Sequence, residues 1–262
     1  MSRLPAPLDR GTRNAMLADY RRSRRRLLLL DYDGTLVPFA SRPELAVPGP
    51  EVIGLLERLS SVPGNDVVLI SGRTRRVLEE WFGDVDLSLV AEHGALLRRR
   101  GRRRWVLLEP PKSDWKPAVV PVLQEFLDSV PGSFLEEKEL SLAWHYRNAM
   151  PGIAALQARE LLANLASIAG NLGMDVFQGH KVIEVKNAGV SKGKAVLRLL
   201  RGRKYGFVLA IGDDITDEAM FCALPRQAYS IRVGIASSHS RFNLPSQKEV
   251  LPFLRVLARA GR

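Results

Sequence analysis

Two aspartates stand two residues apart in Leu27-Leu-Leu-Leu-Asp31-Tyr-Asp33-Gly34-Thr35-Leu36, directly after four apolar residues. Carboxylates so close together repel each other, and a divalent cation is the usual remedy. A second acidic group ends another apolar run far along the chain, in Phe207-Val-Leu-Ala-Ile211-Gly212-Asp213-Asp214-Ile-Thr216-Asp217-Glu218. Either segment alone is compatible with an acid-rich turn, because Asp and Gly are common turn residues. Two apolar runs that both end in paired acids instead suggest a single metal site built from the two.

The elements that must position these acids follow from hydrophobic pattern. Leu27 to Leu30 is expected as a buried parallel strand, with Gly34 allowing a sharp turn after it. In an open α/β sheet, ligands bind beyond the C-terminal ends of the strands, which puts the carboxylates at the mouth of a site. Pro50 can start a helix over Glu51–Leu59, and a second strand, Val67–Ile70, ends in Ser71-Gly72-Arg73. A helix over Thr74–Phe82 and a third apolar stretch, Leu87–Ala91, running into Glu92-His93-Gly94, complete a β-α-β-α-β alternation. That pattern specifies a parallel sheet with helices on its faces.

Past Ala95 the character changes. A hairpin turning at Gly101 between Leu96-Leu97 and Trp105–Leu108, a helix over Val119–Leu127, a strand near Ser141–Arg147, a long helix over Pro151–Asn171 and a strand over Met174–Lys186 suggest a small α+β insert. The expected organisation is core over residues 1–97, insert over 98–185 and core again over 186–262. A helix starting near Ser191–Lys194, the second acidic strand, a strand at Tyr229–Val233 and a closing helix over Lys248–Ala260 return the chain to the core.

Composition narrows the function classes. With 262 residues, 46% of them hydrophobic, the chain can bury a sizeable core. The net charge is +11, and 30 of the 39 basic residues are arginine. Solvated surface charge explains this bias better than nucleic acid does, since the arginine-rich hairpin lacks interleaved aromatics apart from Trp105. A phosphorylated substrate would also be drawn to a positive surface. The single cysteine, Cys222, excludes a disulfide framework and a thiolate metal site and fits a cytoplasmic setting. No apolar run approaches the roughly 20 residues of a membrane span, and the leucines after Arg21–Arg26 stop at Asp31, too early for a signal sequence. Four histidines show no metal-ligand spacing, and a nucleotide-binding Gly-x-x-x-x-Gly-Lys-Ser/Thr loop is missing from the sequence.

Asp31, Asp33, Ser71, Lys192 and Asp213 occur in the order and context of the haloacid dehalogenase-like phosphohydrolases, and the chain resembles that superfamily from about Leu27 onward. Within it, Leu-Asp-Tyr-Asp-Gly-Thr-Leu, Ile-Ser-Gly-Arg, Glu-His-Gly, Lys-Gly and Gly-Asp-Asp-x-Thr-Asp-Glu together look like the trehalose-6-phosphate phosphatases. The resemblance implies a Rossmann-like parallel-sheet core with an inserted cap. It also implies Mg²⁺-dependent hydrolysis of trehalose 6-phosphate to trehalose and phosphate, with a trehalose-phosphate synthase as the partner and neither nucleic acid nor membrane involved.

Each role has a chemical reason. A carboxylate stays ionised at neutral pH, so Asp31 can attack phosphorus and form an aspartyl-phosphate. Asp33 can protonate the leaving oxygen and later deprotonate water. The resemblance places one Mg²⁺ on Asp31, Asp213 and the backbone carbonyl of Asp33, with Asp214 assisting through water or a second layer of contacts. Phosphoryl transfer depends on positioning and charge stabilisation, and Ser71, Lys192 and the backbone around Gly34 and Gly72 are the phosphate donors of relatives. Competing roles exist for several of these residues. Ser71 could cap the following helix, Lys192 could be a solvated lysine at a helix start, Thr35 could orient Asp33 or satisfy the turn, and Asp217 and Glu218 could simply begin a helix.

Sugar recognition asks for carboxylates and cationic donors in a closed pocket. Arg73, Glu92 and His93 at the core edge and Glu184 in the insert are the candidates. Relatives carry Lys directly after the glycine of Gly179-His180-Lys181-Val-Ile-Glu184, whereas here His180 takes that place and Lys181 follows, so both are candidates. Arg103 of the hairpin is a further one. The alternatives are another sugar-phosphate phosphatase, acting on sucrose phosphate or a glucosylglycerate phosphate, and a catalytically silent phosphatase-like module. A silent module would have no need to keep Asp31, Asp33, Lys192 and Asp213 together.

Overall fold

The four leucines of the first strand have no exposed surface, and they lie at the middle of a nine-stranded sheet in the computed structural model, which describes residues 3–110 and 114–261. The chain divides into two compact units. One takes in Met1–Ala40, Glu44–Leu108 and Ser191–Arg262, and the other takes in Ser41–Pro43 and Glu109–Val190.

The first unit contains β1 (Ala6–Pro7), α1 (Arg10–Arg22), β2 (Arg26–Asp31), α2 (Pro50–Ser61), β3 (Asn65–Ile70), α3 (Arg75–Phe82), β4 (Ser88–Ala91), β5 (Leu96–Arg98) and β6 (Trp105–Leu107). The second contains α4 (Lys116–Ser129), β7 (Phe134–Glu137), β8 (Ser141–His145), α5 (Pro151–Leu172), β9 (Met174–Gly179) and β10 (Val182–Asn187). The chain then returns to the first unit as α6 (Lys192–Leu200), β11 (Phe207–Gly212), α7 (Ile215–Cys222), β12 (Tyr229–Val233), β13 (Phe242–Leu244) and α8 (Val250–Ala260).

The large sheet has the order β1-β13-β12-β11-β2-β3-β4-β5-β6. Every pairing from β1 to β4 is parallel, and β5 and β6 add an antiparallel edge. β2 pairs with β11 on one side and β3 on the other, so the two acidic strands run side by side with their C-terminal ends together. One face of the sheet, carrying Leu27, Leu29, Val68, Ile70, Val208 and Ala210, packs on Val196 and Leu199 of α6 and Met220 and Phe221 of α7. The alternate residues Leu28, Leu30, Val67 and Leu69 are equally buried. Burial on both faces explains why these strands are unbroken apolar runs.

Helix starts follow local chemistry. Pro50 opens α2 after Gly49, Thr74 caps α3 by accepting from the Val77 amide, and Ser191 caps α6 by accepting from the Lys194 amide. The N-terminal arm is ordered over α1, whose Met16 and Tyr20 are buried; Met1 and Ser2 lie outside the described residues.

Two expectations are corrected. The arginine-rich hairpin, expected in the insert, instead pairs with β4 and extends the large sheet, and the contact boundaries of the second unit fall at Glu109 and Val190. The alternation over Met174–Lys186, expected as one strand, is two antiparallel strands, β9 and β10, turning at His180-Lys181. Period-two alternation is unchanged by a two-residue turn that keeps facing pairs in register, so the pattern alone did not reveal the break.

In the second unit, the antiparallel sheet β7-β8-β10-β9 buries Leu142, Trp144, Ile183 and Val185 against α4 and α5. The opposite face carries Glu136, Ser141, His145 and Glu184, the alternate positions of the same strands.

Candidate functional site

The C-terminal ends of β2, β3, β4 and β11 gather the titratable groups of the first unit. Asp31, the last residue of β2, is 4% exposed, and its Oδ1 accepts from Lys192 Nζ at 2.6 Å. Lys192 begins α6 and is itself buried, with a second bond of 2.7 Å to Asp217 Oδ1. It is therefore an internal cation rather than a solvated lysine. Burial opposes its charge, but Asp217 and then Asp31 hold it protonated and above its ordinary range.

Oxygen atoms of Asp31, Asp213 and Asp217 lie within 4.8 Å of one another. Burial and the neighbouring Asp217 push Asp31 up to about 7, against the opposing charge of Lys192. Burial and the charges of Asp31, Asp217 and Asp214 push Asp213 up to about 10. One lysine does not balance three carboxylates, and the buried Asp31 Oδ2 has no hydrogen-bond partner. A hard divalent cation satisfies both deficits, because it accepts oxygen ligands only and restores the charge balance. The residues present thus fit such an ion.

Asp217 is the functional residue least visible in the sequence. Its Oδ1 takes Lys192, and its Oδ2 accepts from the amides of Asp213 and Asp214, both at 3.0 Å. Both oxygens are engaged, so it orients the acidic turn and anchors the lysine. Asp214 caps α7, its side chain accepting from the Thr216 amide within a capping box closed by Asp217. This leaves Asp214 outside the cluster of Asp31, Asp213 and Asp217, while its charge still acts on Asp213.

Asp33 also lies outside the cluster. Its carboxylate is gripped by Arg73, with Arg73 Nε at 2.9 Å from Oδ2 and Arg73 Nη2 at 2.5 Å from Oδ1. Arg73, expected at the substrate, here holds Asp33 and lies over the Trp81 ring, 5.2 Å from its centroid. Thr35 hydrogen-bonds Asp213 at 3.3 Å and not Asp33. The Gly34 amide donates to the Val37 carbonyl at 2.8 Å, so this residue does not offer its N–H as a phosphate donor. Gly34 has φ of 78°, and a Cβ there would sit 2.3 Å from Asp213 Oδ2, so what it provides is space beside the carboxylates.

Ser71 is 1% exposed and does not cap α3, a task that Thr74 performs; its hydroxyl accepts from the Arg73 amide at 3.1 Å. Gly72 faces His93, whose Nε2 would lie 2.4 Å from an added Cβ. Glu92 and His93 have φ of 46° and 56°, a left-handed conformation costly for residues with side chains. The Glu92 amide donates to the Arg73 carbonyl and the His93 amide to the Ser71 carbonyl, which ties the turn after β4 to the turn after β3.

The remaining candidates, Arg103 apart, belong to the second unit. Glu184 on β10 is 3% exposed and accepts from Ser141 Oγ at 2.6 Å and Lys138 Nζ at 3.2 Å. Beside them His145 Nε2 pairs with Glu136 at 2.8 Å. Burial opposes the charge on Glu136, but His145 and Lys138 hold its carboxyl below the usual range. Glu136, Lys138 and Ser141 were missed in the sequence; only the place of Glu136 and Ser141 on the polar face of β7 and β8, with Lys138 in the turn between these strands, could have flagged them. His180 is bonded through Nδ1 and its carbonyl to Arg147, and Lys181, at φ of 66°, reaches over the Tyr146 ring. Arg103 is exposed on the β5–β6 hairpin of the first unit.

A sheet whose adjacent strands end in paired aspartates, with a buried lysine and a serine brought from neighbouring elements, is the architecture of the haloacid dehalogenase-like hydrolases. A haloacid dehalogenase-like hydrolase from Bacteroides thetaiotaomicron shares the fold, with a TM-score of 0.65 at 14% identity, covering 90% of this chain and 99% of that one. The trehalose-phosphatase family model matches residues 29–250, and the chain belongs to that family. The C-terminal domain of the Candida albicans trehalose-6-phosphate phosphatase superposes with a TM-score of 0.91 at 32% identity, covering 98% of this chain and 99% of that one. A bifunctional trehalose-6-phosphate synthase/phosphatase of Thermoproteus tenax is 40% identical over 92% of this chain. The chain spans about a third of the length of such curated relatives: 33% of that one and 31% of a Dictyostelium discoideum trehalose-phosphate synthase. No helix among the described residues is long and apolar enough to cross a membrane.

Proposed function

We propose that this chain is a Mg²⁺-dependent phosphatase that hydrolyses trehalose 6-phosphate to trehalose and phosphate through an aspartyl-phosphate on Asp31. The observation that carries this reading is the buried Asp31, held by Lys192 at Oδ1 and left without a partner at Oδ2. Family membership supplies the substrate class.

An Asp31 oxygen attacks phosphorus, and the bond from phosphorus to the sugar oxygen breaks as Asp33 delivers a proton to that oxygen. Asp33 then takes a proton from water, the water oxygen bonds to phosphorus, and the bond to Asp31 breaks to release phosphate. Arg73 fixes the Asp33 carboxyl by two hydrogen bonds. Lys192 and Ser71 bind the phosphoryl oxygens. Asp31 and Asp213 hold Mg²⁺, which supplies charge neutralisation between carboxylate and phosphate.

The second unit acts as a cap that reads the sugar, with Glu184, His180 and Lys181 as its recognition residues. Relatives that unite synthase and phosphatase in one chain support a trehalose-phosphate synthase as the partner. The single cysteine supports a cytoplasmic setting.

Phosphate release from trehalose 6-phosphate, sucrose 6-phosphate, glucosylglycerate phosphate and glucose 6-phosphate, each with Mg²⁺, tests this reading. Preference for trehalose 6-phosphate by more than tenfold is expected. Equal rates on all four would remove the substrate assignment, and no release from any would remove the enzyme.

A further inference from the structure

Asp33 has to deliver a proton and then remove one, and both steps need its carboxyl held in one place. The residues that follow it are engaged elsewhere, Thr35 with Asp213 and the Gly34 amide with the Val37 carbonyl. The carboxylate is held instead from the end of a neighbouring strand, by Arg73 Nε at 2.9 Å and Arg73 Nη2 at 2.5 Å. Such a fork fixes a carboxylate only as firmly as the guanidinium itself is fixed, because a long arginine side chain has many rotamers to escape into.

An aromatic stack supports that guanidinium. Arg73 lies over the Trp81 ring, 5.2 Å from its centroid. Trp81 belongs to α3, the helix that Thr74 caps directly after Arg73. The indole also packs against the Tyr32 ring, with 5.5 Å between centroids. Tyr32 has no exposed surface, its hydroxyl donates to the Ala46 carbonyl at 2.6 Å, and it stands in the chain between Asp31 and Asp33. Trp81 therefore touches both the turn that carries Asp33 and the arginine that grips it, and so sets the spacing between the two. Of the aromatic side chains, the indole attracts a guanidinium most strongly.

We propose that Trp81 is a positioning residue for the acid–base chemistry of Asp33, acting through the Arg73 guanidinium. The inference rests on the phosphatase reading. There, Asp33 protonates the sugar oxygen as its bond to phosphorus breaks, and then takes a proton from the water whose oxygen bonds to phosphorus as the bond to Asp31 breaks. Without a ring face at position 81, Arg73 is free to swing and Asp33 moves with it. Misplacing a reacting group by about 1 Å can cost as much as about 100-fold in rate.

The leaving group separates the two halves of the reaction. p-Nitrophenolate is a weak base and departs without a proton, whereas a sugar alkoxide needs one. A misplaced Asp33 thus slows the first half for the sugar ester alone, and slows the second half, in which water loses a proton, for both esters.

Steady-state and stopped-flow kinetics with Mg²⁺ on Trp81→Leu and Trp81→Met, neither of which has a ring face, test the proposal. In both, kcat/KM for trehalose 6-phosphate is expected to fall about tenfold while that for p-nitrophenyl phosphate stays within about threefold of the parent. The nitrophenyl ester should also give an initial burst larger than the parent's and approaching one p-nitrophenol per chain, because hydrolysis of phosphorylated Asp31 has become slow. A side chain that only read the sugar would give no such burst. Trp81→Phe, which keeps a ring face, is expected to recover most of the loss. Leu78→Ala opens a fully buried position on the same helix, and is expected to lower the melting temperature with neither the burst nor the change in ratio. Equal loss on both substrates, a burst no larger than the parent's, or Trp81→Phe as impaired as Trp81→Leu would each overturn the proposal. Asp33→Asn separates this failure from that of the wider reading. If it loses trehalose 6-phosphate hydrolysis while Trp81→Leu keeps the parent's rate, this inference alone falls; if it keeps the parent's rate, the acid–base role of Asp33 falls and takes the inference with it.

Discussion

The acidic edge of the first unit and the polar sheet face of the second use the same residue types under opposite electrostatic conditions. On the first, Asp31, Asp213 and Asp217 share one lysine, and two of the acids are driven far above ordinary carboxylate behaviour. On the second, Glu184 has Lys138 and Ser141, and Glu136 has His145 and falls below the ordinary range. A cluster left short of positive charge is poised to take up a cation and a phosphate. A face whose charges are already paired is rigid, which suits recognition better than reaction. The difference supports the proposal that chemistry belongs to the first unit and selection to the second.

The sharpest way to break this division is to remove the nucleophile while keeping its shape. Asp31→Asn is expected to lower trehalose 6-phosphate turnover by at least about a thousandfold, since covalent-catalysis residues are typically worth several orders of magnitude. Circular dichroism should show the fold retained. Turnover within tenfold of the parent would dissociate the acidic edge from chemistry.

Chelation should act almost as strongly. Phosphate release measured after exhaustive chelation is expected to fall to background and to return with Mg²⁺, because a dianionic phosphate cannot approach the carboxylates unassisted. Undiminished release would mean that Lys192 alone suffices.

The second region should respond selectively. Glu184→Gln keeps shape and hydrogen bonding but removes a charge. It is expected to lower the ratio of kcat/KM for trehalose 6-phosphate to that for p-nitrophenyl phosphate by about tenfold, within the ~1–3 kcal/mol of a typical lost contact. Equal losses on both substrates would mean that the network supports folding and does not read sugar.

The smallest expected effect concerns stability. Asp31 and Asp213 have folded pKa values of about 7 and about 10, above the ordinary 3.8, so the metal-free folded chain binds more protons than the unfolded one. Their contribution is therefore most favourable below about pH 4 and is lost as pH rises through 7 toward 10. A cation relieves this, so the rise in melting temperature on adding Mg²⁺ should be larger at pH 8 than at pH 5. An increment that is the same at both, or larger at pH 5, would contradict the charge deficit.

Much of the reactive edge was legible because it is made of strand ends. Asp31 and Asp213 follow apolar runs directly, and a parallel sheet aligns the ends of neighbouring strands, so chain order alone placed them together. Lys192 was placed by the Lys-Gly motif, but its burial was not, since lysines at helix starts usually reach water. The function of Asp217 depends on one turn of α7 folding its carboxyl back onto the amides of Asp213 and Asp214, a geometry that capping-box spacing only hints at. Arg73 clasping Asp33 joins residues forty apart and carried no local signal. In the second unit, the turn at Lys181 was hidden because the alternation continues unbroken across it.

The central claim is that Asp31 becomes phosphorylated. Acid quenching during turnover of trehalose 6-phosphate radiolabelled at phosphorus, followed by peptide mapping, tests it directly. The expected result is label on the peptide containing Asp31, absent from the Asp31→Asn protein. Phosphate released at the full rate with no labelled peptide, or with label on another residue, would contradict the account.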